Sequence, residues 1–91
     1  MKLEILTPEK MLFSGEVDSV TLPGAQGLFT VLPSHAPLIS SLQPSGKLTY
    51  LCKGDREMLR VTGGFVKVWK DIVTVCTESG QQINQEKTGN E

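Results

Sequence analysis

Alanine is nearly absent from this chain of 91 residues, which contains only Ala25 and Ala36. Because alanine is the strongest helix former, its scarcity argues against any substantial helix. Long apolar runs are also missing, and the N-terminus lacks the apolar core of a secretory signal. The sequence therefore predicts that the chain has no transmembrane helix and is not secreted. We expect a cytoplasmic chain that does not insert into the membrane directly.

Concentrated charge and metal-binding side chains are also scarce. Nine basic and ten acidic residues give a net charge of −1, whereas nucleic acid or an anionic membrane would require concentrated positive charge. One histidine and two cysteines are too few for a metal site, and no nucleophile motif accompanies them. We predict no catalytic residue, metal, cofactor, small-molecule substrate or nucleic-acid partner. Cys52 and Cys76 are interpreted as buried thiols rather than a disulfide.

Turn signals are what the chain has in abundance. Short strand-like runs separate them at fairly even spacing, which is typical of a β-sandwich or barrel. We predict an all-β fold, a two-sheet sandwich of about nine to ten short, mostly antiparallel strands. The sandwich is expected to span residues 1–78. Residues 79–91 carry one apolar side chain and are expected to form a polar, disordered tail.

Two runs have distinctive apolar patterns. Within residues 16–22 the alternation of apolar side chains changes phase, as a β-bulge would leave it. Residues 28–32 are apolar apart from Thr30, which predicts a strand buried on both faces. Tyr50 and Trp69 are interpreted as core or rim residues rather than a sugar-stacking platform.

The only histidine lies between two prolines. Pro33 and Pro37 fix their own φ and force the preceding residues into extended conformations, so we predict a stiff, non-helical loop between two strands. Such loops often contact partners. His35 lacks partners for catalysis, so it is interpreted as bracing the turn through its ring nitrogens or as contacting a partner. Structural turns are expected at Gly24, Pro33, Pro37, Gly63 and Gly64.

Several motifs follow one another in a distinctive order. They are Phe13-Ser14-Gly15-Glu16-Val17, the segment from Leu22-Pro23-Gly24 to His35-Ala36-Pro37-Leu38, Pro44-Ser45-Gly46, and Thr62-Gly63-Gly64-Phe65-Val66. With these motifs the chain resembles the epsilon subunit of F-type ATP synthases over residues 2–78. The resemblance implies a flattened β-sandwich and a non-catalytic rotor subunit of a proton-translocating enzyme. That subunit lies in the central stalk at the cytoplasmic face of the membrane and couples proton-driven rotation to ATP synthesis.

The resemblance also implies partners for particular residues. It places Thr7, His35 and Ser40 on the side that faces the gamma subunit, and the stiff apolar loop adds Leu38 to that surface. The loop expected to approach the c ring contains Ala25, Gln26, Gly27 and Leu28. We also expect Leu28 to be more exposed than its hydrophobicity indicates.

Family members usually continue into an alanine-rich helical hairpin that restrains ATP hydrolysis. The short polar segment 79–91 is expected to lack that hairpin, since each of its helices needs about 12 residues.

A second hypothesis remains for the whole chain. A free-standing β-sandwich binding or adaptor module, for example one that binds carbohydrate, would have the same fold class. Exposed coplanar aromatic side chains would favour it.

Overall fold

The computed structural model describes residues 1–83 as ten β-strands. In chain order these are β1 (Lys2–Leu6), β2 (Met11–Glu16), β3 (Ser19–Gly24), β4 (Gly27–Val31), β5 (Leu38–Ser41), β6 (Gly46–Cys52), β7 (Asp55–Val61), β8 (Phe65–Trp69), β9 (Ile72–Cys76) and β10 (Gly80–Gln82). Over this part of the chain there is no helix long and apolar enough to cross a membrane.

The strands form two five-stranded sheets. Sheet 1 has the order β2-β1-β9-β8-β5, and sheet 2 has the order β10-β7-β6-β3-β4. Strands β1 and β9 run parallel, and the other paired strands are antiparallel. The predicted all-β sandwich of mostly antiparallel strands is confirmed.

The core lies between the sheets because apolar side chains alternate along the strands. Sheet 1 contributes Leu3, Ile5, Val66, Val68, Val73 and Val75, and sheet 2 contributes Val20, Leu22, Val31, Leu48, Tyr50, Leu59 and Val61. A single slip of register would turn such a set toward solvent, so the pairing is strongly specified.

The phase change within residues 16–22 is a crossing between the sheets. Strand β2 ends at Glu16 in sheet 1, and β3 begins at Ser19 in sheet 2. Val17 turns into the core at the crossing and is buried. The prediction of a bulge at this point is wrong, because a chain that changes sheets also changes the face it buries. The register shift lies instead in the pairing of β1 with β2, between Ile5 and Leu6.

The apolar run 28–32 is not buried on both faces, and that prediction is wrong. Strand β4 lies at the edge of sheet 2 and covers the core with one face only. Val31 is buried, whereas Leu28 is 71% exposed and Leu32 is 56% exposed. The separate expectation of an exposed Leu28 is confirmed.

The cysteines and aromatic residues occupy different layers. Cys52 and Cys76 are both free thiols, as predicted, but each is half-buried rather than buried. Tyr50 lies in the core, and its ring centroid is 4.6 Å from that of Phe13. Trp69 is half-exposed on the outer face of sheet 1, where the Lys70 ammonium lies 5.7 Å from its ring centroid.

Strand β10 lies beyond the domain boundary expected at residue 78. It pairs with β7 from Gly80 to Gln82, and the Ile83 N–H donates to the Met58 carbonyl at 3.0 Å. Main-chain pairing needs no apolar side chains, so polar composition did not reveal this strand. The rest of the expected tail, residues 84–91, lies outside the described residues.

Candidate functional site

A groove of about 720 Å³ separates β4 and β5, the edge strands of the two sheets. One wall is the β3–β4 hairpin, and the other is β5 with the end of the proline-bracketed loop that precedes it. This groove is the candidate site because it is concave and is bordered by two strands that each lack a neighbour on one side.

The hairpin wall is held in place by close backbone contacts. Gly24 pairs with Gly27 across a two-residue tip, and Gly27 has φ +129°. A Cβ atom on Gly24 would lie 2.8 Å from the Phe29 ring, so only glycine fits there. The Ala25 N–H donates to the Ser41 carbonyl at 2.9 Å. That bond fastens the hairpin tip of one sheet to the edge strand of the other.

The loop wall is stiffened by hydrogen bonds around Ser34, which has φ 68°. The Ser34 N–H donates to the Asp71 carboxylate at 2.8 Å. The His35 N–H donates to the Leu32 carbonyl at 3.1 Å, and the His35 Nδ1–H donates to the Ala36 carbonyl at 2.7 Å. His35 therefore braces its own turn, one of the two roles interpreted from the sequence.

The structure brings together most of the residues that the sequence assigned to partners. His35, Leu38 and Ser40 line one wall, and Ala25, Gln26, Gly27 and Leu28 line the other. The two groups therefore face each other across one groove.

Thr7 lies elsewhere, in a second groove of about 300 Å³ that also contains Phe65. Its hydroxyl donates to the Lys10 carbonyl at 3.1 Å. Phe65 is the cross-strand partner of Ser41, which lines the first groove. The two grooves are thus neighbours along the same end of sheet 1.

The glycine pair Gly63-Gly64 supports the first groove from behind. The Leu42 N–H donates to the Gly64 carbonyl at 2.9 Å, and the Gly63 N–H donates to the Gln43 carbonyl at 3.1 Å. A Cβ atom on Gly64 would overlap the Cys76 backbone. The pair is therefore a tight turn with a close backbone approach, which fixes the end of β5.

Sequence reasoning missed one residue of the groove, Phe29, because it belongs to the run that was interpreted as buried on both faces. Ile39 and Ser41 were not singled out, but they lie within the segment 32–42 that was expected to contact a partner as a whole. Ile39 is 74% exposed.

The groove is almost without charge. Its lining contains no Asp, Glu, Lys or Arg side chain, and His35 is its one titratable group. Tyr50 has a raised pKa, mainly because it is buried and secondarily because of Glu57 and Cys52, but it lies in the core. Within residues 1–83 no cluster of three or more His, Cys, Asp or Glu side chains could hold a metal ion. Apolar side chains and main-chain groups equip this groove to bind another polypeptide.

Comparison with protein families gives a match over residues 1–82. The matching family model is described as ATP synthase, Delta/Epsilon chain, beta-sandwich domain. Two similar relatives are each named ATP synthase epsilon chain. One, from Leptospira interrogans, is 38% identical over 88% of this chain and 62% of its own length. The other, from Myxococcus xanthus, is 41% identical over 91% of this chain and 60% of its own length.

The chain thus spans about three fifths of the length of these relatives. Solved structures match the fold. A chain of the Euglena gracilis mitochondrial ATP synthase has a TM-score of 0.82 at 23% identity and covers 88% of this chain and 51% of its own. A chain of the Tetrahymena thermophila enzyme has a TM-score of 0.76 at 17% identity and covers 88% of this chain and 64% of its own.

Proposed function

The chain belongs to the ATP synthase delta/epsilon family, a family of non-catalytic subunits, and from that premise we propose that it joins the gamma subunit to the c ring. In this role it lies in the central stalk, at the cytoplasmic face of the membrane. It helps to couple proton-driven rotation to ATP synthesis at catalytic sites on other subunits.

The observation that carries the proposal is the uncharged groove between β4 and β5. An isolated chain of mixed charge gains nothing from exposing Leu28 and Ile39 at 71% and 74%. Large apolar side chains around a concave surface mark a contact with another protein. We assign the β5 wall, with His35, Leu38 and Ser40, to gamma.

The opposite wall projects as a hairpin tip, which suits contact with the c ring. Ala25 and Gln26 form the tip, and Leu28 is exposed just behind it. The bond between Ala25 and Ser41 ties this tip to the strand assigned to gamma. A force applied at the tip is therefore transmitted to the gamma-binding wall through hydrogen-bonded backbone.

Thr7 belongs to the same proposal as an outlying contact. Its groove adjoins the first one through Phe65, so a partner that covers β5 and the adjoining end of β8 would reach Thr7 as well. We propose that residues 1–78 form the domain that makes both contacts. Strand β10 follows this domain and pairs with the otherwise free edge of β7.

Disulfide cross-linking tests the proposal in the assembled enzyme. Cys52 and Cys76 are first replaced by serine, so that each new thiol is unique. Cysteines at Gln26 or Leu28 should then cross-link to a cysteine in the polar loop of the c subunit, and a cysteine at His35 should cross-link to gamma. A cysteine at Ser14, on β2 at the far edge of sheet 1 and away from the turn that contains Thr7, is the matched control and should cross-link to neither. Enzyme that assembles with no cross-link from the groove would contradict the assignment.

A carbohydrate-binding module is the second candidate, and one observation favours it. Phe65 and Trp69 are both exposed on the outer face of β8, at 46% and 50%. They lie about 13 Å apart along the strand, and Lys67 separates them on the same face. Titration of the labelled chain with soluble glycans would shift the resonances of these two residues if the second candidate is right. No response to glycans, together with capture of gamma, supports the first.

A further inference from the structure

Residues 41–43 are bonded to both sheets, and we refer to them as the seam. Strand β5 ends at Ser41 in sheet 1, where Ser41 still pairs with Phe65 of β8. The next residue, Leu42, forms a bridge with Gly24 of sheet 2. The seam therefore joins the wall assigned to gamma to the hairpin assigned to the c ring.

Main-chain hydrogen bonds hold the seam on two sides. Towards the hairpin, the Gln43 N–H donates to the Pro23 carbonyl at 2.8 Å, and the Ser41 carbonyl accepts from the Ala25 N–H at 2.9 Å. On the opposite side, the glycine turn 63–64 is joined to the seam by two further hydrogen bonds. The seam is thus anchored to the body of the sandwich as well as to the hairpin.

Among residues 41–43, only Gln43 has a side chain that is hydrogen-bonded to the hairpin. Its Nε2 group donates to the Gly24 carbonyl at 3.0 Å, in a partly buried position. Leu42 is apolar and buried, and Ser41 is exposed. Gln43 thus binds two successive carbonyl groups of β3, those of Pro23 and Gly24, directly before the tip of the hairpin.

The hairpin tip, residues 24–27, has little stiffness of its own. Glycine at both ends of the tip leaves the backbone dihedral angles weakly restricted, and the Ala25 and Gln26 side chains are exposed. Among the described strands, β4 has no neighbour on its outer side that could support the tip. In the described part of the chain, the tip is hydrogen-bonded to residues outside the hairpin only through the Ala25 N–H and the Gly24 carbonyl. The Gln43 side chain supplies the second of these bonds.

We infer that Gln43 is a positioning residue, which sets the hairpin tip at a fixed place relative to β5 and thereby couples the two partner contacts. The inference rests on the proposed function, in which the tip meets the c ring and β5 meets gamma. Gln43 does not line the groove, so it acts through Gly24 rather than by touching either partner. A residue that only stabilised the fold would affect both contacts equally, whereas loss of the Gln43 amide should affect the tip alone.

Amide hydrogen exchange in the isolated chain tests the tip directly. Gln43→Met keeps the length of the side chain but has no N–H group to donate. The Ala25 amide should exchange about fivefold faster in this variant, which is the factor that a typical hydrogen bond contributes to a local equilibrium. The Val73 and Val75 amides, in the centre of sheet 1, should exchange as they do in the parent chain.

Gln82→Met is the matched control. The Gln82 Nε2 group also donates a hydrogen bond, to the Glu57 carboxylate at 3.0 Å, but β10 is the edge of sheet 2 opposite to β4. This control should leave the exchange of the Ala25 amide unchanged. An equal effect of the two substitutions, or no effect of Gln43→Met on the Ala25 amide, would overturn the inference. Faster exchange of the two core valine amides by the same factor would also overturn it, because the loss would then be one of overall stability.

The second measurement follows coupling in the assembled enzyme. An epsilon-depleted ATP synthase is supplied with a saturating amount of the parent chain, of Gln43→Met or of Gln82→Met, and the protons pumped per ATP hydrolysed are compared. The enzyme that contains Gln43→Met should pump fewer protons per ATP than the other two. The affinity of Gln43→Met for gamma, measured by titration, should stay within about twofold of the parent's, because the substituted side chain lies outside the groove.

The outcomes separate the inference from the proposed function. If the parent chain binds gamma and restores coupling, and Gln43→Met does so equally well, the inference alone is wrong. A loss of gamma affinity in Gln43→Met that matches its loss of coupling would place the effect in the gamma contact, which also contradicts the inference. If the parent chain neither binds gamma nor restores coupling, the proposed function fails, and the inference fails with it.

Discussion

Single side chains decide the chemical character of the groove. Leu38 and Ser40 form its inner side, His35 braces the loop at one end, and Leu28 stands exposed on the opposite wall. None of these residues is an aspartate, a glutamate, a lysine or an arginine. A partner that contacts this surface must therefore also be uncharged where the two meet, because a buried unpaired charge is costly.

Aspartate at either of two groove positions should weaken gamma binding. In His35→Asp or Leu38→Asp the new carboxylate would be desolvated in the contact, which costs about 2–4 kcal/mol. Ser14→Asp is the control, because Ser14 is also exposed but lies on β2 at the far edge of sheet 1, away from the turn that contains Thr7. Isothermal titration measures affinity, and thermal unfolding checks that each variant folds. Unchanged affinity in the folded groove variants would show that the contact lies elsewhere.

Tyr50 should make the stability of the sandwich depend on alkaline pH. Burial, with smaller effects from Glu57 and Cys52, raises its pKa above the unfolded value of 10.0. The folded state therefore holds the phenolic proton more tightly, and stability that is fully present below pH 10 is lost as the pH rises through the folded pKa.

The measurement is urea unfolding at a series of pH values from 8 upward. The Tyr50→Phe variant should lose less stability above pH 10 than the parent chain, because it has no phenol to ionise. Parallel losses in the two proteins would mean that the alkaline dependence comes from other groups, such as lysines.

At the scale of elements, the β8–β9 hairpin holds the proline-bracketed loop in place. Its two-residue turn, Lys70-Asp71, has positive φ at both positions, 49° and 65°, the geometry of the tight turns that fit twisted strands. The Asp71 carboxylate accepts the Ser34 N–H at 2.8 Å. This single bond links the turn of one hairpin to the loop that precedes β5.

Loss of that bond should loosen the loop and weaken gamma binding severalfold. Asp71→Gly keeps a residue that accepts positive φ but removes the acceptor, which costs about 0.5–1.5 kcal/mol. Asp71→Asn is the matched control, because it keeps an acceptor oxygen and tolerates the same φ. Exchange rates of the Ser34 and His35 amides report on the loop, and titration reports on binding. Identical behaviour of the two variants would contradict the positioning role of Asp71.

At the scale of the whole molecule, the sandwich is suited to transmitting force. Each sheet is covered on its inner face by a continuous apolar core, and the parallel pairing of β1 with β9 joins the two ends of the fold. Close-packed protein cores resist compression and transmit strain. A stiff body of this kind can couple two contacts that lie on different parts of its surface.

The 91-residue chain should restore the coupling of ATP hydrolysis to proton pumping in an epsilon-depleted ATP synthase, because the sandwich supplies the two proposed contacts. ATP hydrolysis and proton pumping are followed as the chain is added. Hydrolysis that stays uncoupled from pumping once the chain is bound would contradict the proposed pair of contacts.

The sequence by itself determined the fold class and the stiff loop. Alternation of apolar residues, as at Val73 and Val75, and closely spaced turn signals predict strands because these patterns act through neighbours along the chain. The angle φ of Pro33 and Pro37 is fixed by covalent geometry, so that loop needs no tertiary contact to be non-helical. The partners expected for residues such as Gln26 and Ser40 were inferred from the family resemblance, which rests on the order of the motifs along the chain.

Only the tertiary structure decided which residues share a surface. The order of strands in each sheet placed β4 and β5 at edges on the same side, and this made Leu28 exposed despite its apolar neighbours. The strand order also places Thr7 in a different groove from His35. At Val17, where the apolar phase changes, the chain crosses from sheet 1 to sheet 2. Strand order depends on contacts between residues far apart in sequence, and no local pattern of side chains encodes such contacts.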